Sequence, residues 1–303
     1  MHRLSLTRIA EAWRFIDPVF LDSPQFESEA LSAKLGCRLV VKVETLNPIG
    51  SFKARGAYFL TSQLQGRPHL VCATAGNFGQ GMAHAARARG MAITVFVSPD
   101  ANPHKVERMR AFGADVRVAE GGSDEAHRAA VAFAAEHSAM LVQDGCDAAI
   151  SEGAGTIGGE LLRWPEPFDA IVVPLGDGAL LGGVSRWVKA HSPATRMIGV
   201  CASGAPAMQR SWRERRVVAS APPQTIAAGL SVQTPFAEAV ADLVELVDDI
   251  LLVEDDSLLA AIRLVQSELG LVLEPSGAAG IAALLTHRPQ FQNSRVATIL
   301  TGR

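Results

Sequence analysis

Cysteine, aromatic side chains and any excess of one charge are all scarce in this 303-residue sequence. Its four cysteines, Cys37, Cys72, Cys146 and Cys201, stand far apart and form no C-x-x-C pair. That excludes a disulfide frame or a zinc knuckle and points to a reducing compartment. Lys and Arg total 28 against 31 Asp and Glu, a net charge of −3. The basic excess that nucleic acid or an anionic membrane surface requires is therefore missing. No apolar run reaches the roughly 18 residues of a membrane helix. The first fifteen residues lack the apolar core and small-residue cleavage site of a signal peptide. The eight histidines show neither H-x-x-x-H nor H-E-x-x-H spacing, so no zinc site of that kind is expected. There is no internal repeat. A cytoplasmic protein is the expectation.

What the sequence does hold is small and aliphatic. Hydrophobic residues make up 48% and aromatics only 6%, with 27 glycines, so a large core of Ala, Val, Leu and Ile is expected. Leu6 to Phe15 and Glu27 to Leu35 suit amphipathic helices, the second stopping at Gly36. Arg38 to Glu44 is β-branched and suits a strand. After the turn Asn47-Pro48-Ile49-Gly50, Ser51 can cap a helix from Phe52 to about Leu64. From His69 onward, strands of about six residues alternate with Gly-rich loops and helices. The series continues through Asp169 to Gly176 and Met197 to Ser203 to a closing strand, Val296 to Thr301. Such alternation predicts α/β architecture with parallel sheets and right-handed crossovers. The segmentation places a small unit at 69–146 within a larger one formed by 1–68 and 147–303.

Three segments carry chemistry. In Gly50-Ser51-Phe52-Lys53-Ala54-Arg55-Gly56-Ala57, a lysine stands at the first turn of a helix, where the dipole disfavours an ammonium and an amine can become a nucleophile. Alone, it would be an ordinary surface lysine. Thr74-Ala75-Gly76-Asn77-Phe78-Gly79-Gln80-Gly81 lies between a strand and a helix, where backbone amides can hold an anion. Val172-Val173-Pro174-Leu175-Gly176-Asp177-Gly178-Ala179-Leu180-Leu181-Gly182-Gly183 is a second strand–loop–helix step suited to a phosphate. It is not a dinucleotide fingerprint. Leu181 stands where the third glycine belongs, and no acidic residue occurs from Gly178 through Arg213 to hold a ribose.

Together these segments resemble the fold-type II pyridoxal-phosphate enzymes, and S-F-K-x-R-G-A is most similar to the threonine/serine dehydratase and serine racemase branch. The resemblance implies the tryptophan synthase β-like fold: two open, twisted, mostly parallel sheets with flanking helices. It implies pyridoxal 5′-phosphate as cofactor, bound covalently by Lys53 with Phe52 beside the ring. Asn77 takes the place of the residue that meets the ring hydroxyl. Gly176, Asp177, Gly178, Ala179 and Leu180 take that of the phosphate loop, with Asp177 and Ala179 replacing glycines, so the acidic side chain must point away from the phosphate. Downstream, Glu152-Gly153-Ala154-Gly155-Thr156 resembles a family G-Q-G-T turn. Gly229 lies in a segment similar to T-I-A-D-G-[IL], with Ala228 for Asp. Glu274 opens E-P-S-G-A-A, and Thr301 stands where a hydroxyl meets the pyridine nitrogen. The substrate positions implied are Ser51, Thr74, Ala75, Gly76, Asn77 and Phe78, the last replacing a common histidine.

The resemblance implies β-elimination from L-threonine, L-serine or a related 3-hydroxy amino acid, giving a 2-oxo acid and ammonia. A β-replacement synthase and a non-catalytic amino-acid-binding homologue are the rivals. Racemases of the branch carry a serine where this chain has Ala75, so a lyase is expected over a racemase. The stretch Cys201 to Ala207 holds no carboxylate where relatives bind a divalent cation, so no metal is expected. The sequence stops after the last strand, so no regulatory domain is expected either. The expected partners are a small amino acid and a second copy of the chain, with no nucleic acid and no membrane.

Overall fold

Ser5 opens the first helix, α1 (Leu6–Ala12), by accepting the Arg8 amide on its hydroxyl. A three-residue strand, β1 (Gln25–Glu27), takes the start of what the amphipathic pattern assigns to a helix. Ser28 then caps α2 (Glu29–Leu35), which ends at Gly36 in the left-handed region, φ 76°. β2 (Arg38–Val43) follows, then α3 (Ala54–Gln63). The computed structural model describes residues 2–74 and 76–303, and through them the alternation continues. β3 (Leu70–Ala73), α4 (Asn77–Ala88), β4 (Ile93–Val97), α5 (Pro103–Ala111), β5 (Asp115–Val118), α6 (Ser123–His137) and β6 (Met140–Leu141) come first. Next are α7 (Ala148–Leu161), β7 (Ala170–Pro174), α8 (Ala179–His191), β8 (Arg196–Ala202) and α9 (Ala207–Glu214). The chain closes with α10 (Ala237–Leu246), β9 (Asp249–Val253), α11 (Asp255–Leu269), α12 (Ala279–Thr286) and β10 (Arg295–Leu300).

The strands form two sheets, one ordered β1-β2-β10-β7-β8-β9 and one ordered β5-β4-β3-β6. Every pairing is parallel except β1 with β2. In the larger sheet both faces are buried, as parallel sheets with crossover helices require. Leu39, Val41 and Val43 of β2 pack with α2, α11 and α12 on one face. Val40, with Ile171 and Val173 of β7, packs with α7, α8 and α10 on the other. In the smaller sheet Leu70, Cys72, Ile93 and Val95 pack against α3, α4 and α5, while Val71 and Phe96 pack against α6.

The topology gathers distant segments at one edge. β10 runs between β2 and β7, parallel to both. The residues following β2, β7 and β10 therefore emerge together at the carboxyl ends of the strands, where open α/β sheets bind ligands. Among the described residues no helix is long and apolar enough to cross a membrane.

Candidate active site

Lys53 is fixed by the turn before it. Asn47 holds that turn with both ends of its amide. Nδ2 donates to the carbonyls of Glu44 at 2.8 Å and Ser51 at 3.0 Å, and Oδ1 accepts the amides of Ile49 at 3.1 Å and Ser51 at 3.3 Å. The Ser51 hydroxyl accepts the Lys53 amide at 3.2 Å. The helix starts at Ala54 and not at Phe52, so Ser51 braces the turn ahead of the helix instead of capping it. The turn is also joined to the C-terminal strand. Ser51 bridges Gly302, and the Phe52 amide donates to the Thr301 carbonyl at 3.2 Å.

Behind Lys53 lies a buried ionic network. Arg55 is fully buried and donates to Glu44 at 2.7 and 3.0 Å, to Glu160 at 2.6 and 2.9 Å and to Thr156 at 3.1 Å. Lys42 adds a contact to Glu160 at 2.6 Å. Two cations balance two carboxylates, and the network ties β2, α3 and α7 together.

The Lys53 ammonium pairs with Asp144 and lies 4.7 Å from the centroid of the Phe52 ring. Asp144 is only 9% exposed, and its second oxygen, Oδ1, has no partner among the described residues. Asp177 is half-buried beside this pair. Desolvation and then the negative charge of Asp144 push its carboxyl up to about 6, against the pull of Lys53. Gly145 packs against the backbone of the same loop: a Cβ there would stand 2.1 Å from the Asp177 carbonyl oxygen.

The loop between β7 and α8 has the backbone geometry of a candidate anion cradle. Gly178 has φ 100°, a conformation that L side chains rarely adopt. The first bond of α8 runs from the Gly182 amide to the Gly178 carbonyl at 2.8 Å, so the amides before it have no partner within the helix. Ala179 and Leu180 bury their side chains in the core and offer the loop only backbone. Gly176 abuts the Gly229 carbonyl, and a Cβ on Gly229 would lie 2.7 Å from the Ser276 hydroxyl.

Asn77 faces the cradle's neighbours from the smaller sheet. Its Nδ2 donates to Glu274 Oε1 at 3.0 Å, and its Oδ1 accepts from Gln80 at 3.0 Å. Glu274 Oε1 also accepts from Ser276 at 2.7 Å, and Oε2 pairs with Lys105 of α5. Thr301 is 5% exposed. A Cβ on the adjoining Gly302 would meet Glu274 Oε1 at 2.5 Å and Asn77 Nδ2 at 2.7 Å.

These groups suit a phosphorylated aldehyde. There is an amine at Lys53, a helix start whose first amides have no intrahelical partner, a buried Asp144 oxygen with no partner among the described residues and an amide at Asn77. Residues 16–302 match the family model described as pyridoxal-phosphate dependent enzyme. The chain belongs to that family. Over 278 residues it is 34% identical to an L-threonine ammonia-lyase of Geobacter sulfurreducens, covering 91% of this chain and 69% of that one. It is 33% identical over 283 residues to an L-threo-3-hydroxyaspartate ammonia-lyase of a Pseudomonas species, covering 92% and 89%. Among solved structures it superposes on a threonine deaminase from T.th. with a TM-score of 0.93 at 35% identity, covering 98% and 97%.

Within this pyridoxal-phosphate enzyme, two segments differ from their sequence-based expectation. The glycine-rich stretch after β3 is mostly helix. α4 begins at Asn77, and before it the Thr74 hydroxyl accepts the Gly76 amide at 3.2 Å. Ala75 lies outside the described residues. Phe78 points into the core of the smaller sheet, so at the site it presents backbone only. The stretch Glu152–Thr156 is likewise no turn but the middle of α7. Its glycines serve close packing: a Cβ on Gly153 would lie 2.6 Å from the Arg55 carbonyl, and Gly183 of α8 meets the Ser151 carbonyl. Helix α7 thereby locks the lysine's helix to the cradle's helix. Asp144 escaped the sequence reading because it belongs to no motif. Its one local sign is an Asp-Gly step just after a strand.

Proposed function

We propose that this enzyme is an ammonia-lyase acting on L-threonine, L-serine or a related 3-hydroxy amino acid, releasing a 2-oxo acid and ammonia. The observation that carries the proposal is the convergence of Lys53, the Gly176–Ala179 cradle, Asn77 and Thr301 on one edge of the sheets. The names of the two curated relatives agree with it. Pyridoxal phosphate, when bound, supplies an electron sink for negative charge at the substrate Cα. Lys53 would hold the cofactor, and its amine is the base placed to take the Cα proton. The backbone of Gly176, Asp177, Gly178, Ala179 and Leu180 holds the phosphate at the start of α8. Phe52, Gly229 and Glu274 flank the cofactor, and Asn77 orients it. Ser51 and the Thr74–Phe78 backbone hold the substrate carboxylate at the start of α4.

The Thr301 hydroxyl would give the cofactor's ring nitrogen a neutral partner, one that would not hold a proton there, and this would favour loss of the β-hydroxyl. Ala75 offers no acid to the opposite face of Cα, which favours the lyase over a racemase. Residues 69–146 serve as the substrate-side unit, and the enzyme works as a cytoplasmic homodimer.

Borohydride reduction of the cofactor-loaded enzyme followed by peptide mapping tests the site. The modified lysine is expected to be Lys53. A label on another lysine refutes the assignment.

A further inference from the structure

We propose that Asp144 is a further catalytic residue, forming with Lys53 a proton relay that protonates the departing β-hydroxyl. The proposal rests on the elimination reaction proposed above. It starts from geometry. Lys53 Nζ must reach the substrate Cα to take its proton, at about the 3 Å of a hydrogen bond. Asp144 Oδ2 is bonded to that same nitrogen. The β-carbon is one bond from Cα, so a carboxyl on Nζ stands beside the β-substituent on the face where the proton leaves.

Burial adds a second argument. Asp144 is nine-tenths buried, yet its Oδ1 has no partner among the described residues. An unpaired buried carboxylate oxygen is costly unless a ligand satisfies it. A substrate hydroxyl is a ligand of the right chemistry. Around Asp144 stand Lys53 at the start of α3, Asp177 in the β7–α8 loop, Cys72 on β3 and Asp147 before α7. Two neighbouring carboxylates disfavour double ionisation, and Asp177 retains its proton up to about pH 6.

The step balances within the substrate. The Cα–H bond breaks and its proton passes to Lys53 Nζ, and its electron pair enters the new Cα–Cβ double bond. The Lys53 ammonium passes a proton to Asp144, which delivers it to the β-oxygen as the Cβ–O bond breaks with its electrons on oxygen. Water leaves, and Lys53 and Asp144 return to their starting states.

The test compares two leaving groups. Hydroxide needs a proton to depart, whereas chloride departs as an anion. In the cofactor-loaded Asp144→Asn enzyme, the ratio of kcat on L-serine to kcat on β-chloro-L-alanine should fall about a hundredfold, within the usual range for one acid–base group. Asp144→Glu should recover part of that ratio. In the cofactor-free proteins, amine labelling of Lys53 reports the pair without turnover. Removing the carboxylate that pairs with the amine should speed Lys53 labelling at a fixed pH. An unchanged ratio overturns the relay, whether or not both rates fall, as does an unchanged labelling rate. If the unaltered enzyme releases no 2-oxo acid from either substrate, the ammonia-lyase reading itself fails and the relay with it.

Discussion

Replacing Arg55 by methionine keeps most of the side-chain volume and removes all six hydrogen bonds of a fully buried guanidinium. Glu44 and Glu160 then share only Lys42 as a cation, and the cluster passes from neutral to one net negative charge. Removing one partner of a buried ion pair costs about 3–5 kcal/mol, mostly because the remaining charge stays buried and unpaired. At roughly 2–4 °C per kcal/mol for large domains, Tm should drop by about 6–20 °C. The deficit should depend on pH. Burial alone would push the Glu160 carboxyl up, but Arg55 and Lys42 hold it at about 2, below its ordinary 4.5. A carboxyl lowered by folding stabilises above pH 4.5, and that contribution is lost as pH falls toward 2. The variant lacks most of it, so its deficit should be largest at neutral pH and narrow below about pH 4.5. Adding Glu44→Gln removes the stranded charge and should recover part of the loss. Thermal unfolding of the three proteins from pH 3 to 8 reads all of this. A deficit under about 1 kcal/mol, as for an exposed ion pair, or one flat across pH, would refute the reasoning.

Three further outcomes are expected. With Ala75 in place, D-serine formation from L-serine should be far slower than 2-oxo acid release, and Ala75→Ser should raise it; chiral chromatography measures both, and equal rates in the unaltered enzyme would contradict the account. Chelators should leave Tm and turnover unchanged, because Cys201 to Ala207 offers no carboxylate to the hard cations that seek oxygen ligands; a loss restored by Mg²⁺ would overturn this. Thr301→Asp should hold a proton on the pyridine nitrogen, slow elimination and bring up long-wavelength absorbance, whereas Thr301→Ala should cost only about 0.5–1.5 kcal/mol, one neutral hydrogen bond; if both leave spectrum and turnover untouched, Thr301 does not reach the ring.

The parallel α/β plan was legible because a β-branched run such as Arg38–Val43 cannot be mistaken for an amphipathic helix. Lys53, Asn77 and Gly176–Ala179 stood out as candidates because each sits at a strand–helix junction with a distinctive residue order. Two glycine-rich stretches were misread for one physical reason. Glycine costs about 1 kcal/mol relative to alanine inside a helix, so Asn77–Gly81 and Glu152–Thr156 suggested turns. Tertiary packing reverses that preference: Gly81 lies against the Lys53 peptide, and Gly153 and Gly155 let α7 touch α3 and α8. The short edge strand β1 was invisible because three residues carry no periodicity. Asp144 was invisible because its meaning comes from Lys53, 91 positions away in sequence and bonded to it in space.

The most direct measurement is product release. Purified enzyme loaded with pyridoxal phosphate is incubated with L-threonine, L-serine, 3-hydroxyaspartate and a larger 3-hydroxy amino acid, alongside the Lys53→Ala protein. The 2-oxo acid and ammonia are quantified together. The account predicts equimolar release from at least one of these substrates and none from the Lys53→Ala protein. Release from none of them, or undiminished release without Lys53, would contradict it.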